Sequence, residues 1–157
     1  MIASRRFVAQ AGCMPEDYFL YYEEVDWALQ RGSLPLLRSL DAVVFHHGGT
    51  AIGSGSTTRA PSPMSCYFNF RNRIRFIRRY HPGALATCYG SALLKIAQFL
   101  VNCRWRQALA AFSGMCGFAP PADVAAAFPP SDRARAFGSV KPKAAQTKTT
   151  QQLGSHA

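Results

Sequence analysis

Acidic residues are scarce in this chain. Its 157 residues hold 8 Asp and Glu against 18 Lys and Arg, a formal charge of +10 at neutral pH. That imbalance points toward phosphate-bearing partners, either nucleic acid or an anionic membrane surface. Cysteine is sparse as well: Cys13, Cys66, Cys88, Cys103 and Cys116 are odd in number, and none form a C-x-x-C pair. A disulfide framework and a zinc knuckle are both excluded, and reduced thiols in a cytosolic setting are the plainer reading. No apolar run follows the charged start, so no signal peptide is expected there. Helix-turn-helix, RNP and zinc-finger signatures are absent, which makes nucleic acid the weaker of the two partners. No Asp-x-Asp pair occurs anywhere.

What is present suits a folded protein. Apolar residues make up 48% and aromatics 12%, enough for a core within one domain. The charge is unevenly placed. Residues 1–63 carry five Arg and six acids, whereas residues 64–157 carry thirteen Lys and Arg and two acids. Five of the eight acids, Glu16, Asp17, Glu23, Glu24 and Asp26, fall within eleven residues. The first part therefore reads as a chemical site and the second as a cationic surface.

Local patterns divide the chain further. Arg5 to Ala11 forms a short helix or a strand–helix turn closed by Gly12. Tyr18 to Tyr22 reads as a strand or a buried extended entry, and Glu23 to Arg31 as a helix with its acids in the first turn. Leu34 to Leu40 and Ala42 to His46 read as short strands, the second apolar enough to be buried on both faces. Gly48 to Pro63 is a loop rich in glycine, serine and threonine. Ser65 to Tyr80 is predicted helical. Leu85, Tyr89, Leu93, Ile96, Leu100 and Cys103 mark one face of a second helix, either an amphipathic core helix or an interfacial one. A third short helix runs from Trp105 to Phe112. From Pro120 onward the composition turns to Ala, Pro, Lys, Gln and Thr, which predicts disorder.

Three segments could carry chemistry. In Glu23-Glu24-Val25-Asp26, three carboxylates crowd a helix start beside aromatics. Like charges so close push one pKa upward, as a general base near neutral pH requires. Acids at a helix start also serve the helix dipole, and the pattern alone leaves both readings open. His46-His47-Gly48-Gly49-Thr50 could supply an imidazole ligand to a divalent metal, or a packed histidine. Tyr67 to Arg73 interleaves aromatics with arginines, which can grip phosphates or simply form a solvated face.

Taken in order, the segments Arg5-Arg6-Phe7, Gly12, Tyr18 to Trp27, Gly32, His46 to Thr50 and Tyr67 to Asn72 carry a family resemblance. The set resembles the C-terminal half of family-2 glycosyltransferases, in the bacterial rhamnosyltransferase-like branch with the GT-A fold. It covers residues 1–82 well and 83–118 loosely. The resemblance implies an α/β class with a partial GT-A-like unit at 1–63; charge and periodicity add basic amphipathic helices at 64–118, and composition a disordered tail at 119–157. It implies inverting transfer of a sugar from a nucleotide-sugar donor to a glycan or lipid-linked acceptor, by a cytoplasmic protein in peripheral contact with anionic membrane.

Glu24 matches the family's general base, where Asp is usual, and Glu23 and Asp26 would orient the base, the acceptor or the helix start. His46 matches a ligand of a divalent metal, Mg or Mn. Arg71 and Asn72 match the family's Arg-Asn pair and would fix the helix near the cleft. The family's donor-binding strands and Asp-x-Asp motif have no counterpart in these residues, so the expectation is a fragment inactive alone. The alternative is a non-enzymatic basic module that binds anionic membrane or nucleic acid.

Overall fold

The structure, a computed structural model, describes residues 2–41, 43, 45 and 60–138. They form seven α-helices: α1 (Arg5–Ala11), α2 (Glu23–Leu29), α3 (Pro63–Tyr80), α4 (Leu85–Val101), α5 (Trp105–Cys116), α6 (Ala122–Ala126) and α7 (Pro130–Phe137). A short 3₁₀ turn at Pro82–Ala84 joins α3 to α4. Among the described residues there is no strand and no sheet, which corrects the α/β, GT-A-like expectation. A strand persists only when a neighbour takes up its backbone hydrogen bonds. Among the described residues no strand lies beside Leu34 to Leu40. That segment runs irregular and exposed, with Leu36, Leu37 and Leu40 at 70%, 84% and 81% exposure. Of the second expected strand, Val43 and Phe45 are irregular and exposed, and its other residues lie outside the described ones. Tyr18 to Tyr22 is not a strand either. Its backbone bends through left-handed conformations at Phe19, Tyr21 and Tyr22.

α3 is the axis of the molecule. Ser62 caps its start by accepting the Ser65 amide, Pro63 fits the first turn, and Arg78 and Arg79 lie at the end where the dipole favours cations. α5 lies against α3 at very short range. Ala108, Ala110, Ala111 and Gly114 line its inner face. A Cβ added at Gly114 would stand 2.2 Å from the Tyr67 carbonyl oxygen, so only glycine permits this approach. The Tyr67 hydroxyl spans the same contact and donates to the Phe118 carbonyl at 2.9 Å.

α4 buries Cys88, Ala92, Ile96 and Phe99. Of the stripe expected from periodicity, Ile96 is buried and Leu85 and Tyr89 pack partly buried against the core, whereas Leu93 and Leu100 are more than half exposed. Because α4 is apolar on most of its circumference, the 3.6-residue period alone does not choose a side. Contact with α3 and α5 falls on the side with the small Cys88 and Ala92.

Residues expected to begin a disordered tail are in part ordered. α6 and α7 place Val124 and Ala136 in the core, each 1% exposed. Phe128 and Phe137 join Phe68 in an aromatic cluster, with Phe137 stacked on Phe68 at 5.6 Å between centroids. Phe19 reaches the same cluster from the N-terminal side, 5.2 Å from Phe68. Packing thus crosses the boundaries drawn at 63 and 118.

Candidate functional site

The acid-rich segment sits on α3, and polar contacts fix it there. Asp26, on α2, is fully buried. Its Oδ2 accepts from the Tyr18 hydroxyl at 2.6 Å and from Arg79 Nη1 at 2.7 Å. Its Oδ1 accepts from the Tyr80 hydroxyl at 2.6 Å and from Gln30 Nε2 at 2.7 Å. Burial alone would raise this carboxyl. The four donors outweigh it and hold Asp26 below the usual carboxylate range. Burial and the hydrogen bond to Asp26 push Tyr80 up to about 12 and carry Tyr18 higher still. Arg79, despite its own partial burial, is held more firmly protonated by its bond to Asp26.

The bends between Tyr18 and Tyr22 have a second fastening. Phe19, Tyr21 and Tyr22 hold φ of 63°, 64° and 72°, a region that costs a bulky side chain about 1–3 kcal/mol and persists only when the surroundings dictate it. Asn72 dictates it here. Its Nδ2 donates to the Tyr18 carbonyl at 2.7 Å and to the Leu20 carbonyl, and more weakly to that of Tyr21. Arg71 lies beside it, with Nη2 donating to Tyr18 O, Nη1 to Ala136 O and Nε to the Asn72 side-chain oxygen. One turn further along α3, Arg75 donates to the Asp17 carbonyl at 2.6 Å. The Arg-Asn pair therefore clamps the turn that presents the acid pair.

Glu23 and Glu24 emerge from this held turn with different surroundings. Glu24 is exposed. Glu23 is half-buried, and its Oε2 is buried with no hydrogen-bond partner. Burial raises the Glu23 pKa, its own backbone N–H draws it back, and the Glu24 charge pushes it up again; the net direction is upward. Glu23 also lines a shallow cleft of about 490 Å³ with Glu16, Phe19 and Arg135.

The sequence-predicted residues divide cleanly. Glu23, Glu24, Asp26, Arg71 and Asn72 come together. Asp26 is a structural anchor whose two oxygens are both engaged by protein donors, so it is not free to orient a substrate or bind a metal. His46 lies outside the described residues, and with it the expected metal ligand. Among the described residues no three His, Cys, Asp or Glu side chains gather as a metal site. Sequence reasoning missed Tyr18, Gln30, Arg79 and Tyr80 as partners of Asp26. Only Gln30, four residues along the same helix, carried a local signal.

No protein-family model matches this chain, and no curated protein or solved structure matches it.

Proposed function

We propose that this chain carries the acceptor-side acids of a sugar-transfer reaction. In this reading Glu24 takes the proton from an acceptor hydroxyl, on a glycan or lipid-linked acceptor, as that oxygen bonds to the anomeric carbon of a nucleotide-sugar donor and the bond from that carbon to the diphosphate breaks, releasing the nucleoside diphosphate. One observation supports the reading above others: the two segments that carry the family resemblance, some fifty residues apart, meet through Arg71 and Asn72 at the turn presenting Glu23 and Glu24. A general base must be held within hydrogen-bond reach of its proton, and a clamped turn holds one. The Glu23 pKa is raised, chiefly by burial, and the exposed Glu24 is the acid that a substrate can reach. No residue here is assigned to the donor.

The test is transfer from labelled nucleotide sugars to a polyprenyl-diphosphate-linked acceptor, by the polypeptide that carries these residues in the cell. Glu24→Gln is expected to cut turnover by about 10²-fold or more, the usual worth of a general base. Because Glu24 is exposed, the melting temperature should stay within about 2 °C. Turnover unchanged in Glu24→Gln but lost in Glu23→Gln would overturn the base assignment. Absence of transfer from every donor would overturn the reading itself.

A second reading has its own observation. Pro82–Val101 is the one helical stretch among the described residues long and apolar enough to cross a membrane, and only 22% of its apolar window is buried. Leu94, Val101 and Trp105 are at least 65% exposed beside Lys95, Arg104 and Arg106. Such a face suits peripheral contact with anionic lipid. Flotation with anionic vesicles should show binding that falls steeply with salt; no association at low salt would end this reading.

A further inference from the structure

A second cleft, of about 440 Å³, opens between α3 and the end of α5, and its charge is of one sign. Arg71, Arg75 and Arg78 line it, and no Asp or Glu does. Spaced by four and three residues, they project from one side of α3. Among the described residues the ion pairs are Arg79 with Asp26, Arg106 with Asp123 and Arg135 with Glu16. None of them neutralises the cleft. Arg71 and Arg75 donate to main-chain carbonyls, and Arg78 makes one long contact, 3.4 Å, to the Tyr89 hydroxyl. Carbonyls carry no net charge, and a guanidinium has five N–H donors, so Arg75 and Arg78 retain donors for a ligand. Asp17 acts on Arg71 only through its charge, without an ion-pair contact.

The rest of the wall favours an anion. Tyr67, Tyr89 and Phe118 supply aromatic surface that limits water and strengthens charge interactions. The C-terminal carbonyls of α5 would oppose an anion if open. Two of the four are capped: Gly117 N–H donates to Gly114 O and Phe118 N–H to Ser113 O. Three planar guanidiniums match phosphoryl oxygens in a way a single carboxylate cannot use.

We propose that this arginine cleft binds a diphosphate group. Two linked phosphoryl groups bring enough oxygens and charge to engage Arg75 and Arg78 together beside the buried charge of Arg71, whereas a monophosphate engages fewer donors. Neither Glu23 nor Glu24 lines the cleft, so binding there is read separately from sugar transfer, although Arg71 and Arg75 also hold the acid turn. The group could arrive free in solution or at the head of a lipid.

The experiment is calorimetric titration of the 157-residue chain with inorganic pyrophosphate, with phosphate and acetate as comparisons. Pyrophosphate is expected to bind at least about tenfold more tightly than either comparison. Arg78→Ala and Arg75→Ala should each weaken it by about tenfold, while Arg133→Ala, exposed and outside the cleft, should leave it unchanged. Arg78 is exposed, so that variant should fold as the parent does, and the unliganded melting temperature checks it. A second arm uses a prenyl diphosphate in zwitterionic vesicles: tighter binding than to pyrophosphate supports a lipid headgroup, and equal binding supports a soluble source. Loss of affinity in Arg133→Ala equal to that in Arg78→Ala would overturn the proposal, as would absence of pyrophosphate binding.

Discussion

The acid turn and the α3–α5 pair are held by opposite kinds of force. The turn, residues 16–30, depends on directional polar bonds: four donors on one buried carboxylate and an amide clamp on three carbonyls. The helix pair depends mainly on close approach of small side chains, with dispersion and burial joining it and the Tyr67–Phe118 hydrogen bond at its end. Polar fastening fixes a shape that the backbone would otherwise avoid. Apolar packing supplies stability but tolerates several sequences of similar volume. The division assigns geometry to one region and stability to the other.

Asp26→Ala strikes the first region hardest. Three hydroxyl or amide donors and Arg79 lose their acceptor, at a cost of about 3 kcal/mol, at the low end for a broken buried pair because Arg79 is partly hydrated. Urea unfolding at neutral pH reads this directly. Its pH dependence sharpens the point. The Asp26 pKa is lowered by folding, so its contribution is present above the unfolded value and is lost as pH falls through the folded one. Asp26→Asn should therefore remove acid sensitivity along with stability. A parent and variant equally acid-sensitive would detach Asp26 from the fastening.

Gly114→Ala probes the second region and should cost about 1–3 kcal/mol, because backbone rather than a flexible side chain stands in the way. Hydrogen exchange should rise along α3 and α5. Equal loss of protection in the acid turn would erase the contrast drawn between the regions.

The smallest effect belongs to Glu23→Gln. The Glu23 pKa is raised by folding, so its contribution is present below the unfolded value and is lost as pH rises through the folded one, opposite in sign to Asp26. Replacing the ionised group should stabilise the protein by a few tenths of a kcal/mol at neutral pH and by nothing at acid pH. Destabilisation at neutral pH would mean that the buried oxygen has a partner in solution.

The helices were legible from the sequence wherever a cap agreed with a period. His81 and Pro82 mark the end of α3 at Tyr80 as expected, whereas its start at Pro63 lies two residues before the expected Ser65, in the segment read as loop. α1 ends at Gly12 as its composition demands. The strands were not legible, because an apolar run such as Leu34 to Leu40 says only that burial would be favourable, and nothing among the described residues covers it. Order in α6 and α7 escaped notice for the converse reason. Two phenylalanines nine residues apart are a weak signal in a stretch of alanine and proline, yet both find Phe68. In the site, the acid pair and Arg71-Asn72 stood out as motifs. The partners of Asp26 did not, since Arg79 and Tyr80 lie more than fifty residues away and only folding brings them near.

Arg71 also constrains when the protein can finish folding. One guanidinium joins the carbonyl of Tyr18, 53 residues before it, to that of Ala136, 65 residues after it. A chain emerging in order from the ribosome makes Tyr18 well before Ala136, so the acid turn lacks its complete fastening until Ala136 has been made. Contacts this distant in sequence close slowly. The helix α7 thus completes the support of a turn made more than a hundred residues earlier, and that turn takes its final shape only once α7 has docked.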